Sequence, residues 1–236
     1  VVDARQSLAM NQLFATYKKM GREEELAHVS YEFVTLKEGA MSSRKGNIIR
    51  YEFFRDAMLD EARTQTRARH ADWTPKRVET AARAVAFGAM RFAMLRQDLD
   101  KKITFDMEES MAFEGFTGPY LLYTLARIRG ILKKAGRTKR VTAADRLVLP
   151  AEKKLLLAIA SYPDAVYAAA TEWRLAGLAQ HLFDLAKRFA EFYEAAPVLA
   201  AEDKVLMAQR LALCEAVLRT LENGLKVLGM DAVAEM

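Results

Sequence analysis

Two apolar stripes constrain this chain more than any other feature. Leu175, Leu178, Leu182, Leu185, Phe189 and Phe192 recur in steps of three and four, and Leu211, Cys214, Leu218, Leu221, Leu225 and Leu228 repeat the pattern. That spacing lines each set along one side of an α-helix, and such a stripe has to be buried against neighbouring helices. From Gly118 onward almost the whole sequence reads this way, so the C-terminal half is expected to be an all-α bundle. Cys214 is the one cysteine and lies within a stripe, which makes it a core residue. A single cysteine excludes an internal disulfide, argues against a Cys-based zinc site and fits a reducing compartment.

The N-terminal half is different. Val1–Asp3 reads as a short strand, and residues 5–20 as a helix with Leu8, Leu13, Phe14 and Tyr17 towards one side, ending at Gly21. Residues 27–37 alternate and are rich in β-formers, so they read as a strand. Gly39 and Gly46 bracket a polar loop, and Ile48-Ile49 reads as another short strand. Residues 51–68 and 75–97 read as helices, the second opened by Pro75 in its first turn. Residues 98–116 are mixed, and 136–150 form a basic connector ending at Pro150. The chain is therefore mainly α in two parts: residues 1–112, with a few short strands followed by helices, and residues 113–236, all helical. Three short strands are too few for a parallel sheet covered on both faces. Together with an opening Val1-Val2 in place of an initiator Met, this reads as a chain cut upstream.

No apolar run approaches the roughly 20 residues that a membrane helix needs, and the start carries no signal-type stretch. The formal net charge of +5 permits a polyanionic partner without requiring one. His28, His70 and His181 fall on different elements without metal-ligand spacing and read as structural or surface residues. Trp73 and Trp173 read as packing anchors, and the basic run Arg63–Arg69 as a solvated helix face.

Two stretches carry chemistry. In the loop Ala40-Met41-Ser42-Ser43-Arg44-Lys45-Gly46-Asn47, a Gly-bounded backbone can approach phosphates closely, with hydroxyl donors from Ser42 and Ser43 and charge from Arg44 and Lys45. Such a loop suits a reaction that expels pyrophosphate, although a Ser-Arg-Lys-Gly turn is also an ordinary solvated loop. In residues 117–134, at about 100° per residue, Leu121, Leu125, Ile128 and Leu132 share one helix face, while Tyr120, Tyr123, Arg127 and Lys134 share another. An aromatic–basic stripe separate from the core stripe suits single-stranded RNA, its rings stacking on bases and its cations meeting phosphates. The other reading is that both tyrosines pack under a neighbouring domain.

These motifs resemble those of arginyl-tRNA synthetases over nearly the whole chain. The MSSRKG loop is similar to the family's form of the KMSKS loop of class I aminoacyl-tRNA synthetases, except that Ala40 and Ser43 stand where the pattern has lysines. Lys45 or Lys37 is a candidate for the displaced charge. VVDARQS at Val1–Ser7 resembles the strand–turn–helix late in the family's Rossmann-type catalytic domain, with Ala9 and Met10 departing from its QSLHF continuation. FEGFTGPYLLYTLARI at Phe113–Ile128 resembles FEGNTGPYLQYAHARI, which opens the anticodon-binding domain, with Phe116, Leu122 and Leu125 as departures. The stretch Phe189…Phe192-Tyr193-Glu194…Pro197-Val198-Leu199 and residues 210–236 are similar to the closing helices, and Met236 falls where family chains end.

The resemblance implies a remnant of a Rossmann-like α/β catalytic domain followed by a DALR-type helical anticodon-binding domain. It implies arginine, ATP with Mg²⁺, and tRNA-Arg as substrates, with no tightly bound cofactor and no metal site. Gln6 would contact arginine. Met41, Ser42 and Lys45 would bind ATP, with Ser42, Ser43, Arg44 and Lys45 serving the catalytic step. Tyr120, Tyr123, Arg127, Tyr193 and Met236 would contact the anticodon loop. The resemblance further implies a cytoplasmic monomer, inactive alone because the HIGH-type ATP motif is absent. The alternative is a catalytically inactive synthetase-like module that binds tRNA. Sister enzymes for cysteine and glycine share related helical domains, but FEGxTGPY together with MSSRKG points to the arginine family.

Overall fold

The computed structural model describes residues 1–37, 50–136, 141, 143–201, 203–233 and 235. It forms two compact units, Val1–Ile48 with Gln97–Asp106, and Ile49–Arg96 with Met107–Met236.

The smaller unit is α/β. Strand β1 (Val2–Asp3) leads through a 3₁₀ turn (Ala4–Gln6) into helix α1 (Ser7–Lys19). Asp3 shapes that turn: its carboxylate accepts from the Arg5 backbone N–H at 2.8 Å and from the Arg5 guanidinium at 2.9 and 3.0 Å. Strand β2 (Ser30–Tyr31) runs parallel to β1, with Val2 opposite Ser30 and Asp3 opposite Tyr31. Strand β3 (Val34–Leu36) runs parallel to β4 (Ile103–Phe105), with Val34 opposite Ile103 and Leu36 opposite Phe105. The strand expected over 27–37 is thus two short ones in separate pairs, and β4 comes from the stretch read as mixed. The Ile48-Ile49 strand falls outside the described residues. Helix α1 buries no residue fully, and Leu8 and Leu13 on its expected apolar side are exposed.

The larger unit is helical. It contains α2 (Tyr51–Arg69), α3 (Pro75–Leu95), a short α4 (Met107–Met111), α5 (Gly118–Ala135), α6 (Pro150–Ala160), α7 (Tyr162–Glu172), α8 (Ala176–Ala195) and α9 (Lys204–Val227). Both leucine stripes turn inward as their spacing demands. Leu178, Leu182, Leu185, Phe189 and Phe192 of α8 are buried, as are Leu211, Cys214, Leu221 and Leu225 of α9 and Leu228 just beyond it. Each such side chain contributes about 1.5–3 kcal/mol of hydrophobic stabilisation. Leu121, Leu125 and Ile128 of α5 join the same core.

Two features set the position of α5. Thr117 caps its N-terminus, with Oγ1 accepting from the Tyr120 backbone N–H at 3.2 Å and donating to the Ala112 carbonyl at 2.7 Å. Gly118 lies against α3 so closely that an added Cβ would sit 2.4 Å from the Gly88 carbonyl oxygen. The glycine of GPY is therefore a steric requirement of this sequence, because any side chain there would push α3 and α5 apart.

Candidate nucleic-acid interface

The outward face of α5 carries the aromatic–basic stripe expected from the helical spacing. Tyr123 is 44% exposed, and Arg127 one turn on is exposed as well. The Arg127 guanidinium lies 4.6 Å from the centre of the Tyr193 ring on α8, a cation–π contact. Tyr193 in turn stacks on Phe189, ring centres 6.1 Å apart and planes at 29°. The sequence-predicted Tyr123, Arg127 and Tyr193, far apart in sequence, thus come from two helices that pack together. Tyr120 is half-buried and meets Phe183 edge-on at 5.5 Å. Burial pushes its phenol above the ordinary tyrosine value, and the nearby Arg127 charge offsets part of that rise. It is a neutral aromatic at the margin of the core.

Beside this stripe runs a groove of about 620 Å³ whose lining includes His70, Trp73, Arg77, Tyr123, Arg127 and Lys134. His70 and Trp73 stack with ring centres 3.9 Å apart and planes at 9°, and the Arg77 guanidinium lies 4.0 Å from the Trp73 ring centre. Sequence reasoning set His70 and Trp73 aside. Nothing local in the sequence brings them to α5, because they sit between α2 and α3 and only the packing of α3 on α5 carries them there. Arg63, read as part of a solvated helix face, instead ties α2 to α3, bonded to Glu79 at 2.7 and 2.9 Å as well as to Asp60 at 2.7 Å.

In the smaller unit Gln6 ends the 3₁₀ turn at the start of α1, with its side chain exposed. The turn that presents it is braced by the Asp3–Arg5 pair, and the Arg5 guanidinium covers the Phe33 ring at 4.3 Å. A neutral amide at the end of a strand can hydrogen-bond an amino-acid head group without adding charge. Met41, Ser42, Ser43, Arg44, Lys45 and Met236 lie outside the described residues. Lys37, the other candidate for the displaced loop charge, is bound to Asp106 at 2.6 Å.

Comparison with known proteins identifies both stretches. Residues 1–107 match the catalytic domain model of class I tRNA synthetases (R), and residues 121–236 match the DALR anticodon binding domain. The chain therefore joins a catalytic-domain stretch of the class I tRNA synthetases (R) to a DALR anticodon binding domain. It is 39% identical to the arginine–tRNA ligase of Bdellovibrio bacteriovorus and 36% identical to that of Chloroflexus aggregans. Each alignment takes in 100% of this chain but only 41% and 42% of the relative, so the chain spans about two-fifths of the length of these ligases. The Thermus thermophilus arginyl-tRNA synthetase structure matches over 100% of the chain and 40% of its own length, with a TM-score of 0.86 at 34% identity. A Plasmodium falciparum arginyl-tRNA synthetase has the same fold, with a TM-score of 0.81 at 21% identity, over 100% of this chain and 40% of its own.

The departures from the arginyl-tRNA synthetase pattern now have a physical account. Leu122 and Leu125, where the pattern has Gln and His, are fully buried in the helical core. Phe116, where it has Asn, packs between Phe92 (5.1 Å, edge-on) and Phe183 (4.9 Å), with its carbonyl accepting from Arg96 at 2.6 Å. These substitutions add apolar packing beneath α5 and leave its outward stripe unchanged. Among the described residues no group of His, Cys, Asp or Glu side chains is arranged to hold a metal ion, and no helix is long and apolar enough to cross a membrane.

Proposed function

We propose that the complete protein is an arginine–tRNA ligase, joining arginine to tRNA-Arg at the expense of MgATP, and that this chain supplies its anticodon-binding part and one side of its active site. The observation that carries the reading is the exposed Tyr123 and Arg127, with Arg127 set over the half-buried Tyr193 ring, on a DALR-type helical domain within a chain that aligns along its whole length with arginine–tRNA ligases. Residues 1–112 would belong to the catalytic domain and 113–236 to the anticodon-binding domain, in keeping with the matched stretches 1–107 and 121–236. The reading also places the protein in the cytoplasm as a monomer.

In this scheme Gln6 hydrogen-bonds the bound arginine, whose carboxylate attacks the α-phosphate of ATP and expels pyrophosphate. Arg44 and Lys45, with the Ser42 and Ser43 hydroxyls and the Met41 backbone, stabilise the charge that builds on the leaving group. Arginine then passes to the 3′ end of the tRNA. Tyr123 and Tyr193 offer ring faces to unpaired anticodon-loop bases, Arg127 meets the backbone between them, Tyr120 supports the cluster from below, and Met236 completes the contact.

Titrating tRNA-Arg transcripts with altered anticodons against wild type and Tyr123→Ala tests the RNA half. Wild type should prefer the native anticodon, and the variant should lose about 1–3 kcal/mol of binding, the range for a stacked base. Equal binding by every combination would remove the anticodon role. Arginine-dependent pyrophosphate exchange by the complete protein, abolished or strongly reduced in Lys45→Ala, tests the catalytic half and separates an active ligase from an inactive tRNA-binding relative.

A further inference from the structure

The groove beside α5 already holds an anion of the protein's own. The Glu235 carboxylate is bridged between Arg77 at the start of α3 and Lys133 near the end of α5, with one oxygen paired to the Arg77 guanidinium and the other 3.3 Å from the Lys133 ammonium. Glu235 also borders a second groove of about 700 Å³, shared with Trp73 and Arg77 and lined further by Lys76 and Arg83. Lining residues of the two grooves are strongly cationic, with Asp231 and Glu235 as their carboxylates.

We infer that the Arg77–Lys133 pair is a binding site for a backbone phosphate of RNA, and that the Glu235 carboxylate occupies it in the free protein as an intramolecular stand-in for that phosphate. The chemistry fits. A guanidinium and an ammonium converging on one pair of oxygens are what a phosphodiester requires. The stacked His70–Trp73 pair and Tyr123 border the same groove, so the site is continuous with ring faces suited to unpaired bases. The contact is also easily exchanged. The side chains of Lys133, Arg77 and Glu235 are 81%, 48% and 46% exposed, and ion pairs this open to water are held weakly. A polyanion that releases its own counterions on arrival can displace the carboxylate, whereas a lone small anion gains little by doing so. The tail then acts as a competitor that any incoming RNA has to displace.

This inference rests on the RNA-binding reading proposed above, and the test separates the two. Binding of the tRNA-Arg transcript and of an unstructured poly-U oligonucleotide to the complete protein is measured over a range of salt concentrations for wild type, Glu235→Gln and Lys133→Gln. Freed of its competitor, Glu235→Gln should bind both RNAs roughly two- to fivefold more tightly, the effect of one exposed ion pair. Its log–log salt slope should match wild type, because the same phosphate is neutralised in both once the tail is displaced. Lys133→Gln should bind more weakly with a shallower slope. Wild-type affinity in Glu235→Gln would overturn the inference, as would weaker binding, which would make the tail a strut instead of a stand-in. If wild type binds neither RNA at any salt concentration, the RNA reading itself fails.

Discussion

Glu152 and Arg210 form a buried ion pair between α6 and α9, and breaking it from one side should cost much of the helical unit's stability. Glu152 is fully buried and Arg210 nearly so. Glu152 Oε1 accepts from Arg210 Nε at 2.8 Å, Oε2 accepts from the Leu149 backbone N–H at 2.9 Å, and Arg210 Nη1 donates to the Pro197 carbonyl at 3.2 Å. Arg210→Met removes the cation but leaves the carboxylate buried with the Leu149 N–H as its remaining partner. Stranding a charge in this way costs about 3–5 kcal/mol. Replacing both residues, as in E152M/R210M, strands no charge and takes these partners only from the Leu149 N–H and the Pro197 carbonyl, at about 1–3 kcal/mol before the gain in apolar contact. Urea unfolding followed by tryptophan fluorescence suits the measurement, because Trp73 and Trp173 both lie in the larger unit. With a slope of about 2 kcal/mol per M, the R210M midpoint should fall by about 1.5–2.5 M and the double variant should recover at least half of that. An R210M protein within 1 kcal/mol of wild type, or a double variant no better than R210M, would refute the argument.

Other expectations follow from single sites. Burial pushes the Cys214 thiol up to about 12, so at pH 8 it should ignore a thiol reagent until the chain is unfolded; rapid labelling of native protein would contradict its place in the core. Gly118→Ala should cost about 1–3 kcal/mol by forcing α5 away from the Gly88 backbone. Gly88→Ala should cost less, because its new methyl would meet the mobile ends of Leu122 and Met230, and a reversed order would count against the close-crossing account. Burial holds His181 below the ordinary histidine value. The unfolded chain therefore takes up the proton first as pH falls through about 6.5, and the stability contribution is lost until pH drops below the folded value. Wild type should lose more stability than His181→Gln between pH 7.5 and 5, and an NMR titration midpoint above 6.5 for His181 would reverse the sign.

The helical unit was legible because its signal is local and repeated. A three–four step over Leu178–Phe192 or Leu211–Leu228 has one physical solution, and the structure adopts it. Strand β4 was not, because Ile103-Thr104-Phe105 is too short to show alternation and is defined by a partner, β3, far back in the chain. The interface divides the same way. The outward placement of Tyr123 and Arg127 was readable from one helix wheel, but the wheel grouped Tyr120 with them, and the packing of α8 places Phe183 against its ring. Trp73 and Arg77 were missed because their relation to α5 exists only in three dimensions.

The pairing of β3 with β4 has a consequence for how this protein comes into being. During synthesis Val34–Leu36 is complete long before Ile103–Phe105 appears, and the intervening chain is α2 and α3, which pair with each other across a short connection. Neighbouring helices assemble fast, whereas closing a long loop bears an entropic cost before its contacts form. The helical hairpin is thus expected to be made first and to shorten the effective distance between the two strand segments. The smaller unit would then be finished only when its own late segment, Gln97–Asp106, emerges beyond α3, so damage to α2 or α3 should surface as misfolding of a sheet to which neither helix belongs.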